Sequence, residues 1–461
     1  MSLILTKEED NSNIAFGSWL NLTIFGEIFI EKANFFLELN NFKKLFIIAY
    51  TLINNMSKPQ IAYVKNNTGG KTMSQDNFKE TLPVGTLGII ALESSKALGQ
   101  KVNDYIVEWR KQRTGEHTAT MQFAGYQRDS YLIKHQCPRF GSGEAKGVIK
   151  ESVRGDDLYL LVDVCNYSLT YSLCGHTNHM SPDDHYQDLK RIIAAVGGKA
   201  RRITVIMPFL YESRQHKRSS RESLDCALAL QELTNMGVES IITFDAHDPR
   251  VQNAIPLKSF ETVMPSYQFI KNLLKNIPDL VVDSQHMMVI SPDEGAMGRA
   301  VYFANVLGLD MGMFYKRRDY TTIVNGRNPI VAHEFLGADV EGKDVLILDD
   351  MISSGESMLD VAKELKKRKA KRIFVCATFG LFTNGLEKFD EAYEKGLIDF
   401  VMTTNLVYQT EELLSRPYYI SADMSKYIAL LIDALNHDAS ISEFLSPTER
   451  IQNVLNKYKN K

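Results

Sequence analysis

From about residue 86 the chain repeats one pattern: a short, nearly unbroken apolar run, an amphipathic segment, then another apolar run. LGIIAL (87–92), DLYLLVDV (157–164), RITVIMPF (202–209), SIITFDA (240–246), MMVISPD (287–293), MGMFYKR (311–317), DVLILDD (344–350), RIFVCATF (372–379) and DFVMTTN (399–405) read as strands. Runs that are apolar on both sides of the pleat suit strands covered on both faces, as in parallel sheets. ESLDCALALQELTNMG (222–237) and the stretch 298–308, which ends in YFANVLG, carry helical spacing and close on a glycine placed as a helix stop. The rhythm predicts an α/β fold with helices on both faces of a mainly parallel sheet. These strands are too many for one small sheet. Two tandem domains are therefore predicted, joined near residues 268–284.

A length of 461 residues leaves room for two or three cores, and a net charge of −3 gives no general attraction to nucleic acid. Cys137, Cys165, Cys174, Cys226 and Cys376 are few and scattered, which fits reduced thiols in the cytoplasm better than a disulfide framework. The first 55 residues are richer in Phe, Ile, Leu and Asn. Their longest apolar run, LFIIAYTLI (45–53), is too short to cross a bilayer, and no signal-peptide order is present, so no membrane partner is expected. Composition changes at Met56. The expectation is that Met56 is the natural start; the competing expectation is an amphipathic helical arm over residues 1–55.

In open α/β sheets ligands bind beyond the carboxyl ends of the strands, and four strand ends here carry polar residues. DDMISSGES places Asp349 and Asp350 before a loop of Ser353, Ser354, Gly355, Glu356 and Ser357 that opens a helix. Loop amides and hydroxyls at a helix N-terminus form an anion cradle. Two acids beside a phosphate would repel it, so their work is to accept hydrogen bonds from vicinal sugar hydroxyls. A plain helix cap with an acidic turn explains the same residues without a ligand.

TFDAHDPR carries Asp245 and His247, and SPDEGAMGRA carries Asp293. Together these suit a nucleotide-bound magnesium ion, which keeps most of its water and needs few protein ligands. YKRRDY carries Lys316, Arg317 and Arg318, cations suited to the spread charge of a transferring phosphoryl group. Arg214, Lys217, Arg218 and Arg221 in YESRQHKRSSRES (211–223) can grip a triphosphate. Three other stretches are set aside. KKRKAKR (366–372) complements a helix C-terminus, VKNNTGGKT (64–72) lacks the first glycine of a P-loop, and CGHTNH (174–179) with His185 has no usual zinc spacing and reads as a polar loop.

In this order, from about residue 86 to 446, these stretches closely resemble the ribose-phosphate pyrophosphokinase (phosphoribosyl pyrophosphate synthetase) family. RFGSGEAKGVIKESVRGDDLYLL is similar to its first conserved segment, RITVIMPFLYESRQHKR to its ATP-binding stretch and TFDAHDPRVQ to its histidine segment. SPDEGAMGRA, YKRRD and DDMISSGES resemble its metal, catalytic and ribose-phosphate segments.

The resemblance implies two phosphoribosyltransferase-like domains, an ATP-binding one at 81–273 and a ribose 5-phosphate-binding one at 274–461, after an extension at 1–80. It implies homo-oligomers, hexamers or dimers, and transfer of pyrophosphate from MgATP to the anomeric hydroxyl of ribose 5-phosphate. By position, Arg214, Gln215 and His247 would contact ATP, and His247 and Asp293 would serve Mg2+. Lys316 and Arg318 would stabilise the transition state. Asp349 and Asp350 would hold the ribose hydroxyls, and residues 353–357 the 5-phosphate. Phe140, Ser142 and Glu144 would line the adenine pocket of a neighbouring subunit.

The phosphate loop departs from the family pattern, with Ser353, Ser354, Gly355 and Glu356 where an aspartate, a threonine and two small residues are usual; His216 replaces an acid after Arg-Gln in a loop about one residue shorter, and Ser142 replaces the adenine-pocket aspartate. A type I phosphoribosyltransferase would not need the Lys316–Arg318 pair or the Arg214 loop. A family-derived regulatory subunit would have lost those cations.

Overall fold

The computed structural model describes residues 82–115, 125–318 and 330–459, and in it the apolar runs form two separate sheets. Residues 1–81, and with them the Met56 expectation and VKNNTGGKT, lie outside the described residues. The first half contains β1 (Thr86–Ala91), α1 (Lys96–Gly115), the hairpin β2–β3 (His135–Gln136, Val148–Ile149) and β4 (Asp156–Leu161). It continues with the hairpin β5–β6 (Thr170–Leu173, His176–His179), α2 (Pro182–Val196), β7 (Arg202–Ile206), α3 (Asp225–Asn235), β8 (Ser240–Phe244) and β9 (Ser259–Val263). Its main sheet has the order β1-β4-β7-β8-β9 and is parallel throughout.

After α4 (Ser266–Asn276), the second half runs through β10 (Met287–Ser291), α5 (Met297–Leu307), β11 (Asp310–Arg318), β12 (Ile330–Leu336) and β13 (Asp344–Ile352). Then come α6 (Glu356–Lys367), β14 (Arg372–Gly380), α7 (Glu387–Glu394), β15 (Phe400–Thr404) and β16 (Tyr419–Ala422). The sheet order is β12-β11-β10-β13-β14-β15-β16, and β12 is its antiparallel edge. The apolar runs fill both faces: Met288, Ile290, Val345 and Ile347 join one core cluster while Met287, Val289, Leu346 and Leu348 join another. Period-2 alternation thus feeds two cores from one strand.

Both sheets begin in the same way. Asp157 on β4 faces Arg202 on β7, which donates to both carboxylate oxygens at 2.7 and 2.9 Å. Asp344 on β13 faces Arg372 on β14 in the same register, at 2.9 and 2.6 Å. These bidentate pairs close the amino ends of the central strands and leave the carboxyl ends for ligands.

The two halves are not simply consecutive packages. α8 (Ser425–Asn436), late in the chain, lies against α1, where buried Asp433 accepts from Arg110 at 3.0 Å and from Arg113. Asn436 on the same helix donates to Asp157 at 2.9 Å, so the end of the chain ties into the first sheet. α9 (Thr448–Lys459) returns to α4, where Tyr458 donates to the Pro278 carbonyl at 2.8 Å. All described residues belong to one unit, Ser74–Lys461. Among them no helix is long and apolar enough to cross a membrane.

Where a polar loop is expected, CGHTNH forms the turn and second strand of the β5–β6 hairpin. Leu173 pairs with His176, and the two turn residues Cys174 and Gly175 both have positive φ, which suits the twist of a tight hairpin. His179 Nδ1 meets the Tyr167 carbonyl and His185 Nε2 the Asn166 carbonyl, both at 2.8 Å.

Candidate active site at the carboxyl ends of the two sheets

The segment after β8 turns sharply, with Asp245 at φ +40, and carries its side chains across to the second sheet. Buried Asp245 accepts Arg299 Nε on one oxygen and Thr378 Oγ1 on the other, each at 2.6 Å. Arg299 comes from the first turns of α5, and its Nη2 lies 3.7 Å from Asp350 Oδ2. That same oxygen is 2.7 Å from His247 Nδ1. Thr378, Asp245, Arg299, Asp350 and His247 therefore form one connected polar network spanning both sheets.

The network sets the charges. Burial opposes ionisation of Asp350, yet the His247 hydrogen bond and the Arg299 charge outweigh it and hold this carboxyl below its usual range. The Asp350 bond raises the His247 pKa against the effect of burial. Asp349 goes the other way: burial, then the Asp350 and Asp293 charges, push its carboxyl well above the ordinary carboxylate range. Adjacent acids with opposite shifts give one ready acceptor and one group that can hold a proton. Asp349 Oδ1 also accepts the Asp350 amide at 2.9 Å, which fixes the turn.

The loop after β13 is braced from behind, since Leu381 donates its amide to the Ile352 carbonyl at 2.8 Å and Thr383 to Ser353 at 3.0 Å. Gly355 caps α6 at φ +79, and the helix starts at Glu356, whose carboxylate is bonded by Lys388 of α7. Asp293, two residues beyond β10, accepts the amides of Gly295 and Ala296 at 3.0 and 3.3 Å, forming the turn into α5. β11 lies beside β10, and Ser291 pairs with Met313, so the chain at Lys316 and Arg318 runs past the end of β10. The side chains of those two residues lie outside the described residues.

Arg214 is exposed in the basic loop, and its charge acts on His247. Gln215 instead folds into its own loop, donating to the Ser223 carbonyl at 2.8 Å. A cavity of about 580 Å³ opens beside Arg214, walled by Phe209, Tyr211, Phe382 and Tyr408. Phe140 is 53% exposed on the turn after β2, where Ser142 donates to Glu144 at 2.8 Å. This turn leans on the β5–β6 hairpin through the Cys174 amide and the Gly141 carbonyl at 2.8 Å.

Residues 87–237 match the model of the N-terminal domain of ribose phosphate pyrophosphokinase, and residues 257–412 match the phosphoribosyl transferase domain. A ribose-phosphate pyrophosphokinase of Mycoplasma genitalium is 31% identical over 280 residues, spanning 60% of this chain and 76% of that protein. This chain belongs to the ribose-phosphate pyrophosphokinase family. The enzyme of the same name from Vibrio parahaemolyticus is 29% identical over 308 residues, covering 66% of this chain and 88% of its own length. The fold is similar to that of phosphoribosylpyrophosphate synthetase from Mycobacterium smegmatis, with a TM-score of 0.60 and 22% identity over 77% of this chain and all of that one.

Within this ribose-phosphate pyrophosphokinase fold, His247, Asp349 and Asp350 meet in one hydrogen-bonded and electrostatic cluster. Sequence reasoning missed Arg299, Thr378 and the neighbour of His216. Arg299 had a signal: a cation near a helix N-terminus opposes the helix dipole and needs acids close by. Thr378 sits inside an apolar strand with no such mark. His216, noted only as a departure, packs its ring 5.3 Å from that of His247 and points Nε2 at Asp248, 3.6 Å away.

Proposed function

We infer that the protein is a ribose-phosphate diphosphokinase, transferring pyrophosphate from MgATP to the anomeric hydroxyl of ribose 5-phosphate. A bond forms between the anomeric oxygen and the β-phosphorus, and the bond from that phosphorus to the α–β bridging oxygen breaks. The hydroxyl proton is released and AMP leaves. The observation that carries this reading is the His247–Asp350 contact of 2.7 Å, which joins the histidine segment of one sheet to the acid pair of the other. Two substrates held on two sheets must meet at such a junction.

Each group has a role in this reading. Asp350 stays ionised and accepts from a ribose hydroxyl, while Asp349 holds or shares a proton. Ser353, Ser354, Gly355 and Ser357 receive the 5-phosphate at the N-terminus of α6, with Glu356 at its edge. Arg214 and Gln215 meet ATP, and Phe140, Ser142 and Glu144 serve the adenine of a neighbouring subunit. Lys316 and Arg318 act on the charge that develops during transfer.

Among the described residues no three potential ligands cluster to hold a metal by themselves, which fits a Mg2+ ion carried by the nucleotide and touched by few protein groups. The Asp349 carboxyl is pushed up partly by the Asp350 and Asp293 charges, an accumulation that a divalent cation relieves. Asp293 would add its charge beside the ion while its Oδ1 holds the Gly295 and Ala296 amides, and His247 keeps Nε2 for the bound nucleotide because Asp350 occupies Nδ1. When bound, the ion neutralises phosphate charge.

The proposed division is 1–80, 81–273 and 274–461; the first sheet ends at Val263 and the second starts at Met287, while α4 spans the boundary and α8 packs back on the first half. A cytoplasmic homo-oligomer, hexamer or dimer, completes the reading. Mixing the purified protein with MgATP and ribose 5-phosphate tests it: AMP and phosphoribosyl pyrophosphate should appear in equal amounts. ADP as product, or no turnover, would overturn it.

A further inference from the structure

Glu356 is an odd residue for the first turn of a phosphate-binding helix. A carboxylate there suits the helix dipole but competes with an incoming phosphate for the same amides and repels it. The structure shows how this position is handled. Gly355 has φ +79, and a Cβ built on it would stand 2.3 Å from the Phe389 ring, so α7 is seated directly on the loop. Lys388 precedes Phe389 on that helix, and its Nζ donates to Glu356 Oε1. Backbone fit and ion pair place one lysine of α7 at the edge of the loop. The next cation in the chain, Lys395 just past α7, is turned to Glu391 at 2.9 Å.

We propose that Lys388 is a positioning residue for ribose 5-phosphate: by binding Glu356 it holds that carboxylate off the anion site and adds its own positive charge beside it. The proposal rests on the reading of residues 353–357 as the phosphate loop. Glu356 and Lys388 then act as one neutral unit. When phosphate arrives, the lysine keeps the acid occupied, and the loop amides remain available to the ligand. Removing Lys388 alone leaves an unpaired carboxylate facing the phosphate. Removing both charges leaves a neutral loop again. A surface ion pair with no such task contributes little, so loss of either partner would matter little.

The test is calorimetric titration of ribose 5-phosphate into the natural protein, Lys388→Ala, Glu356→Gln and the double variant, with KM and kcat measured alongside. Lys388→Ala should weaken binding about tenfold and raise KM by a similar factor, with little effect on kcat. The double variant should recover to within about threefold of the natural protein, and Glu356→Gln alone should bind at least as tightly. Ribose without its phosphate should bind equally to all four, because the pair acts only on the anion. Unchanged binding by Lys388→Ala overturns the proposal, as does a double variant as weak as Lys388→Ala. If the natural protein itself binds no ribose 5-phosphate, the reading of the loop fails and the proposal fails with it.

Discussion

His247 Nδ1 and Asp350 Oδ2 stand 2.7 Å apart although 103 residues separate them, and the contact bridges the two sheets. In the proposed function Asp350 accepts from both the imidazole and a sugar hydroxyl, which its two oxygens allow. Asp350→Asn should therefore weaken ribose 5-phosphate binding about ten- to a hundredfold, since one charged acceptor is lost and the histidine is left with at most a neutral one. Titration of ribose 5-phosphate measures this, and binding within twofold of the natural protein would remove Asp350 from the sugar site.

Arg299 holds two acids from different sheets. Its replacement by Met leaves Asp245 and Asp350 buried without their shared cation. Breaking a buried pair in this way costs about 3–5 kcal/mol. The expected result is a marked fall in the urea midpoint with an unchanged m-value. An unfolding curve that coincides with the natural one would show that the network is not structural.

Lys316→Ala should remove turnover and leave ribose 5-phosphate binding nearly intact. A cation that acts mainly on transition-state charge is worth a factor of roughly 10²–10⁴ in rate. Near-normal kcat would exclude Lys316 from the reaction.

Asp163, just beyond β4, is buried and accepts the amides of Cys165 at 2.8 Å and Tyr408 at 2.7 Å. Burial pushes its carboxyl up to about 7, against the opposing effect of those two amides. Folded Asp163 then keeps a proton that the unfolded chain releases near pH 4, so its contribution to stability is full below pH 4 and is lost as pH rises to 7. The loss amounts to about 4 kcal/mol. Asp163→Asn should remove this slope, read as the difference in unfolding free energy between pH 4 and pH 7.5 for the two proteins. Parallel pH profiles would contradict it.

Ser142, in its proposed place at the adenine pocket, would bear on the choice of nucleotide. An aspartate accepts from the adenine amino group and repels the guanine carbonyl, whereas a serine hydroxyl can rotate to serve either. The natural protein should therefore accept GTP within about ten- to a hundredfold of ATP in kcat/KM, and Ser142→Asp should widen the gap. A natural preference of about a thousandfold, or a ratio unmoved by the substitution, would refute this.

The strands, the two-sheet architecture and the acids and hydroxyls at their ends were legible in the sequence. Apolar runs such as VLIL (345–348) state their own burial, and a loop such as SSGES states its own turn chemistry; both are local properties of a few neighbouring residues. SFETV of β9 is only partly buried and YISA of β16 is short, so neither gave a strong enough period to find. Tertiary structure alone decided that Thr378 and Arg299 share Asp245, that α8 crosses back to α1 and Asp157, and that Lys388 meets Glu356. Each of these contacts joins groups far apart in the chain. Partner choice there depends on which surfaces the packed sheets bring together and which buried charges they leave to be satisfied. No window of sequence carries that information, because the packing that sets neighbours, and for the buried groups the desolvation that selects a partner, exist only once the chain has folded.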